Sequence, residues 1–326
     1  MIYLLNTSTQ PYFNLALEEY ILKQFQEECF MLWQNSPCIV AGKNQNTLSE
    51  INLDFIKEHN LPVVRRLSGG GTVFHDLGNL NFTFIVNDQG NSFINFKKFT
   101  LPIVEVLQKL SVNAVLSGRN DLTIEGKKFS GNAQYKSKNR LLHHGTLLFS
   151  SNISDIASAL KVDPSKFEGK GIKSVESRVT NITEHLKEPL TISQFNEMIL
   201  KHIKTEHREF EFHELTPEDI ENIHNLVEEK YSTWEWNFGT SSPYNFSNRK
   251  KFLGGSIEVY LTVTKGIIHM AKLNGDFFGK YDVSDIEHAL IGIKHAENTV
   301  RQALSIFKMD DYFANITIDN LISALL

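Results

Sequence analysis

The sequence predicts an α+β protein, with a large mixed-sheet domain followed by a small C-terminal α/β cap domain. Three observations carry this. Strand-like and helix-like segments do not alternate regularly, as a doubly wound parallel sheet would require. Hairpin signals cluster mid-chain, where Glu125-Gly126 separates two strand-like runs and glycine supplies the positive φ of a tight turn. Near Gly239-Thr240-Ser241-Ser242-Pro243 the composition turns small and polar, and a second hairpin around Lys265-Gly266 opens a new strand-and-helix run. The boundary is therefore expected near residue 245, with domains over 1–245 and 246–326.

Taken in order, Ile2–Asn6 reads as a strand and Asn14–Phe25 as an amphipathic helix whose stripe is Leu15, Leu17, Tyr20 and Ile21. Phe30–Trp33 and Cys38–Ala41 are apolar strands around the turn-like Asn35-Ser36-Pro37. A helix over Leu53–His59 precedes strands at Pro62–Arg65, Thr72–His75 and Asn81–Val86. Phe96–Leu110 is the clearest helix, with Pro102 placed near its first turn. Strands follow at Leu122–Glu125, Lys127–Ser130 and Leu141–Phe149, then helices around Ile153–Leu160, Ile192–Lys204 and Pro217–Tyr231. Past the boundary come the hairpin Ser256–Val263 and Ile267–Leu273 and helices near Val283–Leu290, Ala296–Ile306 and Ile318–Leu325.

Composition narrows the function classes. A formal charge of −5 over 326 residues argues against a nucleic-acid binder, whose phosphate partner demands a basic footprint. The clusters Lys97-Lys98 and Arg249-Lys250-Lys251 read as solvated faces. Only Cys29 and Cys38 occur, each in an apolar run and without CxxC or zinc-type spacing. No apolar stretch approaches the roughly 20 residues of a membrane span. The N-terminal residues lack the basic start and apolar core of a signal peptide, so a cytoplasmic location is expected.

The chemistry concentrates in Arg65-Arg66-Leu67-Ser68-Gly69-Gly70-Gly71-Thr72-Val73-Phe74-His75-Asp76-Leu77-Gly78-Asn79. Three glycines between two strands permit close approach of backbone to a ligand, and their amides can form an anion-binding concavity. Arg66 adds a multi-donor cation suited to phosphate or carboxylate. A bare glycine triplet would be a surface turn; the flanking arginines and Val73-Phe74-His75-Asp76 favour a phosphate site. Neither G-x-x-x-x-G-K-[ST] nor G-x-G-x-x-G spacing is present, so any nucleotide is held by another architecture.

This run resembles the signature of the lipoate–protein ligase A family. Further segments resemble that family in the same order: Phe13–Glu19, Leu32-Trp33, Gly118–Leu122, Gly126–Gly131, His143–Leu148, Ser177–Asn181 and Trp234–Asn237. The resemblance covers nearly the whole chain. It implies a catalytic fold shared with biotin ligases and class II aminoacyl-tRNA synthetases, and a C-terminal cap that swings during the cycle. It also implies MgATP-dependent conversion of lipoate to lipoyl-AMP and transfer to a lysine of an acceptor. The acceptors would be lipoyl domains of 2-oxoacid dehydrogenase E2 subunits or the glycine cleavage H protein.

Residue by residue, the resemblance makes Lys128 the catalytic lysine, contacting both the lipoate carboxyl and the nucleotide phosphate. Lys127, its neighbour on a strand, faces the opposite way and reads as a solvated charge. Nucleotide or lipoyl-AMP binding falls to Arg66, Gly69, Gly70, Gly71, Thr72, Val73, Phe74 and Lys128, and to Ser174, Arg178 and Val179 in a loop carrying Gly169 and Gly171. Lipoate binding falls to Glu18, Trp33, Arg66, His75, Asn79 and Lys128. Trp33 is nearly as readable as a core residue, and His75 as the partner of a strand hydrogen bond. The adjacent His143 and His144 point to opposite faces and read as structural. Asp121 is a candidate Mg²⁺ ligand, against the common use of Asn120-Asp121 to stabilise a turn.

One departure stands out. Glu176 occupies a position where relatives carry Arg, and a carboxylate there would repel an adenylate. Two rival readings stay open on the sequence: an ATP-independent lipoyl or octanoyl transferase using a cysteine thioester, and a non-catalytic lipoate- or acceptor-binding relative. The first needs an exposed, activated thiol, which the apolar setting of Cys29 and Cys38 does not offer.

Overall fold

The computed structural model describes residues 1–88, 92–160, 177–207, 209–238 and 246–326, without the side chains of Leu48 and Ser49. Its strands, in chain order, are β1 (Ile2–Leu4), β2 (Cys29–Trp33), β3 (Cys38–Ala41), β4 (Val63–Arg65), β5 (Val73–His75), β6 (Asn79–Asn87) and β7 (Ala114–Ser117). They continue with β8 (Asp121–Ile124), β9 (Lys127–Ser137), β10 (Arg140–Leu148), β11 (Glu211–His213), β12 (Phe246–Phe252), β13 (Gly255–Thr264) and β14 (Ile267–Gly275). An eight-stranded sheet runs β11-β1-β2-β6-β10-β9-β8-β7, and a small sheet runs β4-β3-β5. The first is mixed, since β1 is parallel to β2 and β11 whereas β6, β9 and β10 pair antiparallel.

The period of two along the central strands decides what each face meets. Phe30 and Leu32 of β2, Phe82 and Phe84 of β6, and Leu141 and Leu147 of β10 enter one core. Helices Phe96–Lys109 and Ile192–Glu206 cover that face through Phe99, Ile103, Phe195 and Ile199. The opposite face takes Met31, Trp33, Ile85 and Leu142, packed under helix Pro11–Gln24 by Leu15, Leu17 and Ile21. That second face also carries polar Asn81, Thr83, His144 and Thr146, all but Thr146 buried, and there the site forms.

The C-terminal sheet β12-β13-β14 holds its own core of Ile257, Val259, Leu261, Phe277, Phe313 and Leu321. The stretch that separates it from the first part, residues 239–245, lies outside the described residues. Contacts across the two parts are specific. Gly275 N–H donates to Asn44 O at 2.7 Å, Lys43 Nζ pairs with Asp282 at 2.7 Å, and Arg119 donates to the carbonyls of Gly254 and Asp276. The Arg119 guanidinium also lies 4.5 Å from the Phe278 ring centroid. Among the described residues, no helix is long and apolar enough to cross a membrane.

Local expectations differ from the structure in a few places. The first helix begins three residues earlier, at Pro11, because Gln10 caps it by accepting from Phe13 N–H at 2.7 Å. Pro102 sits inside the second turn of its helix, not near the first. There Thr100 Oγ1 donates to Phe96 O at 3.0 Å, one turn back. Strands β7, β11 and β12 were not legible, being short or carrying charges; Arg249, Lys250 and Lys251 stand on β12, an edge strand.

Candidate active site

Strand register assembles the floor of the site. Trp33 pairs with Asn81, and Asn81 with Thr146. One row along, Met31 pairs with Thr83, Thr83 with His144, and His144 with Ala133. These rows bound a narrow cavity of about 120 Å³, whose walls include Leu15, Trp33, Val40, Arg66, His75 and Ala133. A wider one of about 580 Å³ adjoins it, walled by Phe74, Asn79, Asp121, Thr123, Arg178 and Val179 among others. Gly71, Thr72, Val73, Lys128, Gly131 and Thr146 line both chambers and form the seam.

Lys128 reaches the seam through a fault in pairing. Leu122 lies opposite Ser130, yet Thr123 lies opposite Lys128, with a β-bulge between. The extra residue places Lys128 on the face of Asp121 and Gly131. Its Nζ lies 2.8 Å from Asp121 Oδ1, both side chains being well exposed. The backbone on its other side is fixed: Lys128 N–H donates to Arg178 O at 2.7 Å, and Thr180 N–H to Lys128 O at 3.0 Å. Arg178 and Val179 thus reach the wide chamber as neighbours of Lys128. Lys127 is exposed and lines neither chamber.

The glycine loop is shaped by two buried arginines with different tasks. Arg65, 2% exposed, donates to the carbonyls of Gly42, Lys43 and Gln45 at 2.8 Å each, to Thr47 Oγ1 at 2.7 Å and to Trp236 O at 2.9 Å. It ties together the segments behind the loop, and Trp236 and Asn237 return bonds to its backbone. Arg66 faces the site. Its NH2 group grips Gly69 O and Gly71 O at 2.7 Å each, and its NH1 reaches Val40 O at 3.1 Å. Burial lowers both guanidinium pKa values to about 10, leaving both cationic at neutral pH.

Gripped on both sides, Gly70 adopts φ +89°, which only glycine takes without strain. Among the described residues, the N–H groups of Gly70 and Gly71 find no acceptor in the protein. A Cβ on Gly71 would meet nothing within 4 Å, so that residue opens on the chambers. Gly69 does not line them: a Cβ there would come within 2.4 Å of Phe277 O, so the C-terminal part packs onto the loop.

The remaining predicted residues fall as follows. Trp33 is both wall and core, 3% exposed, with Nε1 donating to Thr83 Oγ1 at 2.9 Å. Glu18 lines neither chamber and lies behind His144. His75 accepts on Nδ1 from Asn35 Nδ2 at 3.1 Å, and its buried Nε2 has no protein partner. Burial, with Arg66 and His144 nearby, lowers its pKa to about 3, so the ring is neutral and Nε2 is a free donor toward the narrow chamber. Asn79 belongs to the wide chamber, with Oδ1 unpartnered. Ser174, Glu176, Gly169 and Gly171 lie outside the described residues.

Several lining residues were not identified from the sequence: Asn81, Asn132, His144 and Thr146. The available signal was a polar residue at alternate positions of strands otherwise apolar. Asn81 Nδ2 and Asn132 Oδ1 are buried without partners, as is His75 Nε2. All three belong to residues that line the narrow cavity, where they can bond the polar atoms of a ligand or of water.

Comparison with known proteins agrees with this geometry. The model of the lipoyl protein ligase A/B catalytic domain matches residues 10–204, and that of the bacterial lipoate protein ligase C-terminus matches 241–325. Lipoate–protein ligase 1 of Staphylococcus aureus is 50% identical over 313 residues, 95% of either chain. LipL1 of P. falciparum, solved in complex with lipoate, gives a TM-score of 0.79 at 26% identity, covering 99% of this chain and 98% of that one. A lipoate–protein ligase A bound with ATP gives 0.64 at 25% identity, covering 73% and 98% respectively. The chain belongs to the lipoate–protein ligase family.

Proposed function

We propose that this protein activates lipoate with ATP to lipoyl-AMP and then transfers the lipoyl group to a lysine of an acceptor lipoyl domain. The observation that carries the reading is the position of Lys128, on the seam shared by the two chambers. The narrow chamber, walled by Trp33, Leu15, Val40 and Ala133, suits a slim acyl chain; the wide one suits a nucleotide. Their common wall is where a carboxylate and an α-phosphate would meet.

A lipoate carboxylate oxygen attacks the α-phosphorus, the bond to the β-phosphate bridging oxygen breaks, and pyrophosphate departs. Lys128 holds the two anions together and offsets their repulsion. The free amides of Gly70 and Gly71 receive phosphate oxygens, with Thr72, Val73, Phe74, Arg178 and Val179 as the nucleotide's further surroundings. Arg66 acts by setting the loop's carbonyls, and Gly69 by closing it against Phe277. His75 offers its Nε2–H to the carbonyl oxygen. In the second step the acceptor ε-amine attacks the carbonyl carbon, AMP leaves, and the nitrogen loses a proton.

Asp121, which lines the wide chamber together with Glu50, fits Mg²⁺, which takes one or two protein oxygens and completes its shell with phosphate and water. Bound there, the ion would neutralise charge on the departing phosphates. The reading places the enzyme in the cytoplasm, with lipoyl domains of E2 subunits and the glycine cleavage H protein as acceptors. It assigns 1–245 to adenylation and 246–326 to an accessory domain. A thioester route is disfavoured because Cys29 and Cys38 are wholly buried, and burial pushes the Cys29 thiol up to about 12 and Cys38 further still.

The test is lipoate-dependent release of pyrophosphate from MgATP, with wild-type protein and Lys128→Ala. Release that requires lipoate and falls in the variant by roughly the 10²–10³ of a lost charge-stabilising donor supports the reading. Folded wild-type protein that releases none would overturn it.

A further inference from the structure

We infer that His144 is a positioning residue, which transmits the orientation of the buried Glu18 carboxylate through Ser68 to Arg66 and so sets the glycine loop. The inference rests on the reading that this loop binds the nucleotide. Ser68 lines neither chamber, and nothing in the sequence distinguishes His144 from an ordinary strand histidine.

With Glu18 as a carboxylate and His144 as a neutral ring, the hydrogen bonds admit one direction. Ionised Glu18 can only accept, and it lies 2.9 and 3.0 Å from His144 Nδ1. The proton is therefore on Nδ1. Its Oε1 also accepts from Thr83 Oγ1 at 2.7 Å, and Thr83 in turn accepts from Trp33 Nε1 at 2.9 Å. On the far side of the imidazole, Nε2 lies 2.6 Å from Ser68 Oγ. Arg66 has only donors, so its Nε–H, at 3.0 Å, occupies a lone pair of Ser68 Oγ. The Ser68 proton is then directed at His144 Nε2, the acceptor available to it. The chain reads Arg66 Nε–H to Ser68 O–H to His144 Nε2, and His144 Nδ1–H to Glu18.

The consequence falls on the loop. A guanidinium is a rigid fork. Fixing Nε on Ser68 fixes where NH2 meets Gly69 O and Gly71 O, and hence how the Gly70 and Gly71 amides face the chamber. A merely structural cluster would contribute stability alone. A positioning chain also changes nucleotide affinity when a link that never touches nucleotide is removed.

The tautomer and the kinetics test this separately. In protein labelled with ¹⁵N-histidine, with the His144 signals assigned by their absence in His144→Gln, a protonated Nδ1 and bare Nε2 are expected. A protonated Nε2 overturns the chain whatever the enzyme's activity. In pyrophosphate release, Ser68→Ala is expected to raise the KM for MgATP roughly tenfold, the scale of a lost hydrogen bond to a charged group. The KM for lipoate should stay within about twofold. His144→Gln can both donate and accept across the gap and should retain nucleotide binding better than His144→Leu. An unchanged KM for MgATP in folded Ser68→Ala overturns the inference while leaving the ligase reading intact. Should Ser68→Ala not fold, equal nucleotide KM in His144→Gln and His144→Leu overturns it instead. Wild-type protein inactive in the assay removes the ligase reading and leaves the tautomer to decide the chain.

Discussion

Lys128 Nζ and Asp121 Oδ1 stand 2.8 Å apart across the β8–β9 bulge, facing the wide chamber. Both side chains are more than a third exposed, so the pair contributes at most about 1 kcal/mol and parts readily for a phosphate or a metal. Asp121→Asn should therefore change thermal stability little. It should shift the Mg²⁺ dependence of pyrophosphate release to higher concentration. An identical Mg²⁺ titration in wild type and variant would exclude Asp121 as the metal's ligand.

The glycines of the loop should separate by function. Gly70→Ala places a side chain at φ +89°, at a cost on the order of 1–2 kcal/mol, and should lower the unfolding midpoint by a few degrees. Gly71→Ala meets no protein atom and should fold normally while raising the KM for MgATP. Equal stability losses in the two variants would contradict the placement of Gly71 on the seam.

Neither cysteine should matter to chemistry. The double variant Cys29→Ala, Cys38→Ala should keep lipoate-dependent pyrophosphate release within a few-fold, after a stability loss of about 1–2 kcal/mol from shaved core packing. Abolished transfer in folded double variant would restore the thioester route.

Acid should destabilise the fold through its buried imidazoles. Burial depresses His75 to about 3 and lowers His143 well below its ordinary value. The native state then binds fewer protons than the unfolded chain. Stability is complete above about pH 6.5 and is lost as pH falls from there toward 3, at up to ~1.4 kcal/mol per pH unit for His75 alone. Urea midpoints at pH 7.5 and 5.5 measure it. His143→Leu, set among Phe82, Phe96 and Phe99, should flatten the dependence; an unchanged slope would refute the role of His143.

Arg119 joins the glycine loop's neighbourhood to the C-terminal part through Gly254 O, Asp276 O and the Phe278 ring. Arg119→Ala should raise hydrogen exchange together at Gly275, whose N–H is held by Asn44 O, and at Ala314, whose N–H is held by Phe278 O, because both flank the segment that Arg119 grips. Faster exchange confined to one of them would show that they are not coupled.

Much of the fold was legible because the local rules agreed with one another. The Glu125-Gly126 and Lys265-Gly266 turns have positive φ at both residues, as their composition demanded. The helices at Phe96 and Ile192 follow their apolar period, and the irregular order of elements foretold a mixed sheet. What stayed hidden were short or charged edge strands such as β11 and β12, which carry no period long enough to read.

The site divides in the same way. The sequence by itself grouped Arg66, the glycine triplet and Lys128 into one expected site, because their order resembles that of one family although a lone lysine after a turn has many other uses. Only the tertiary structure decided that Arg65 holds scaffold while Arg66 holds the loop, that Glu18 lies behind His144, and that a bulge turns Lys128 onto the seam. The reason is physical. Residue type and spacing report what a side chain can do, whereas its partners are set by strand register and by segments hundreds of residues away, such as Phe277 upon Gly69.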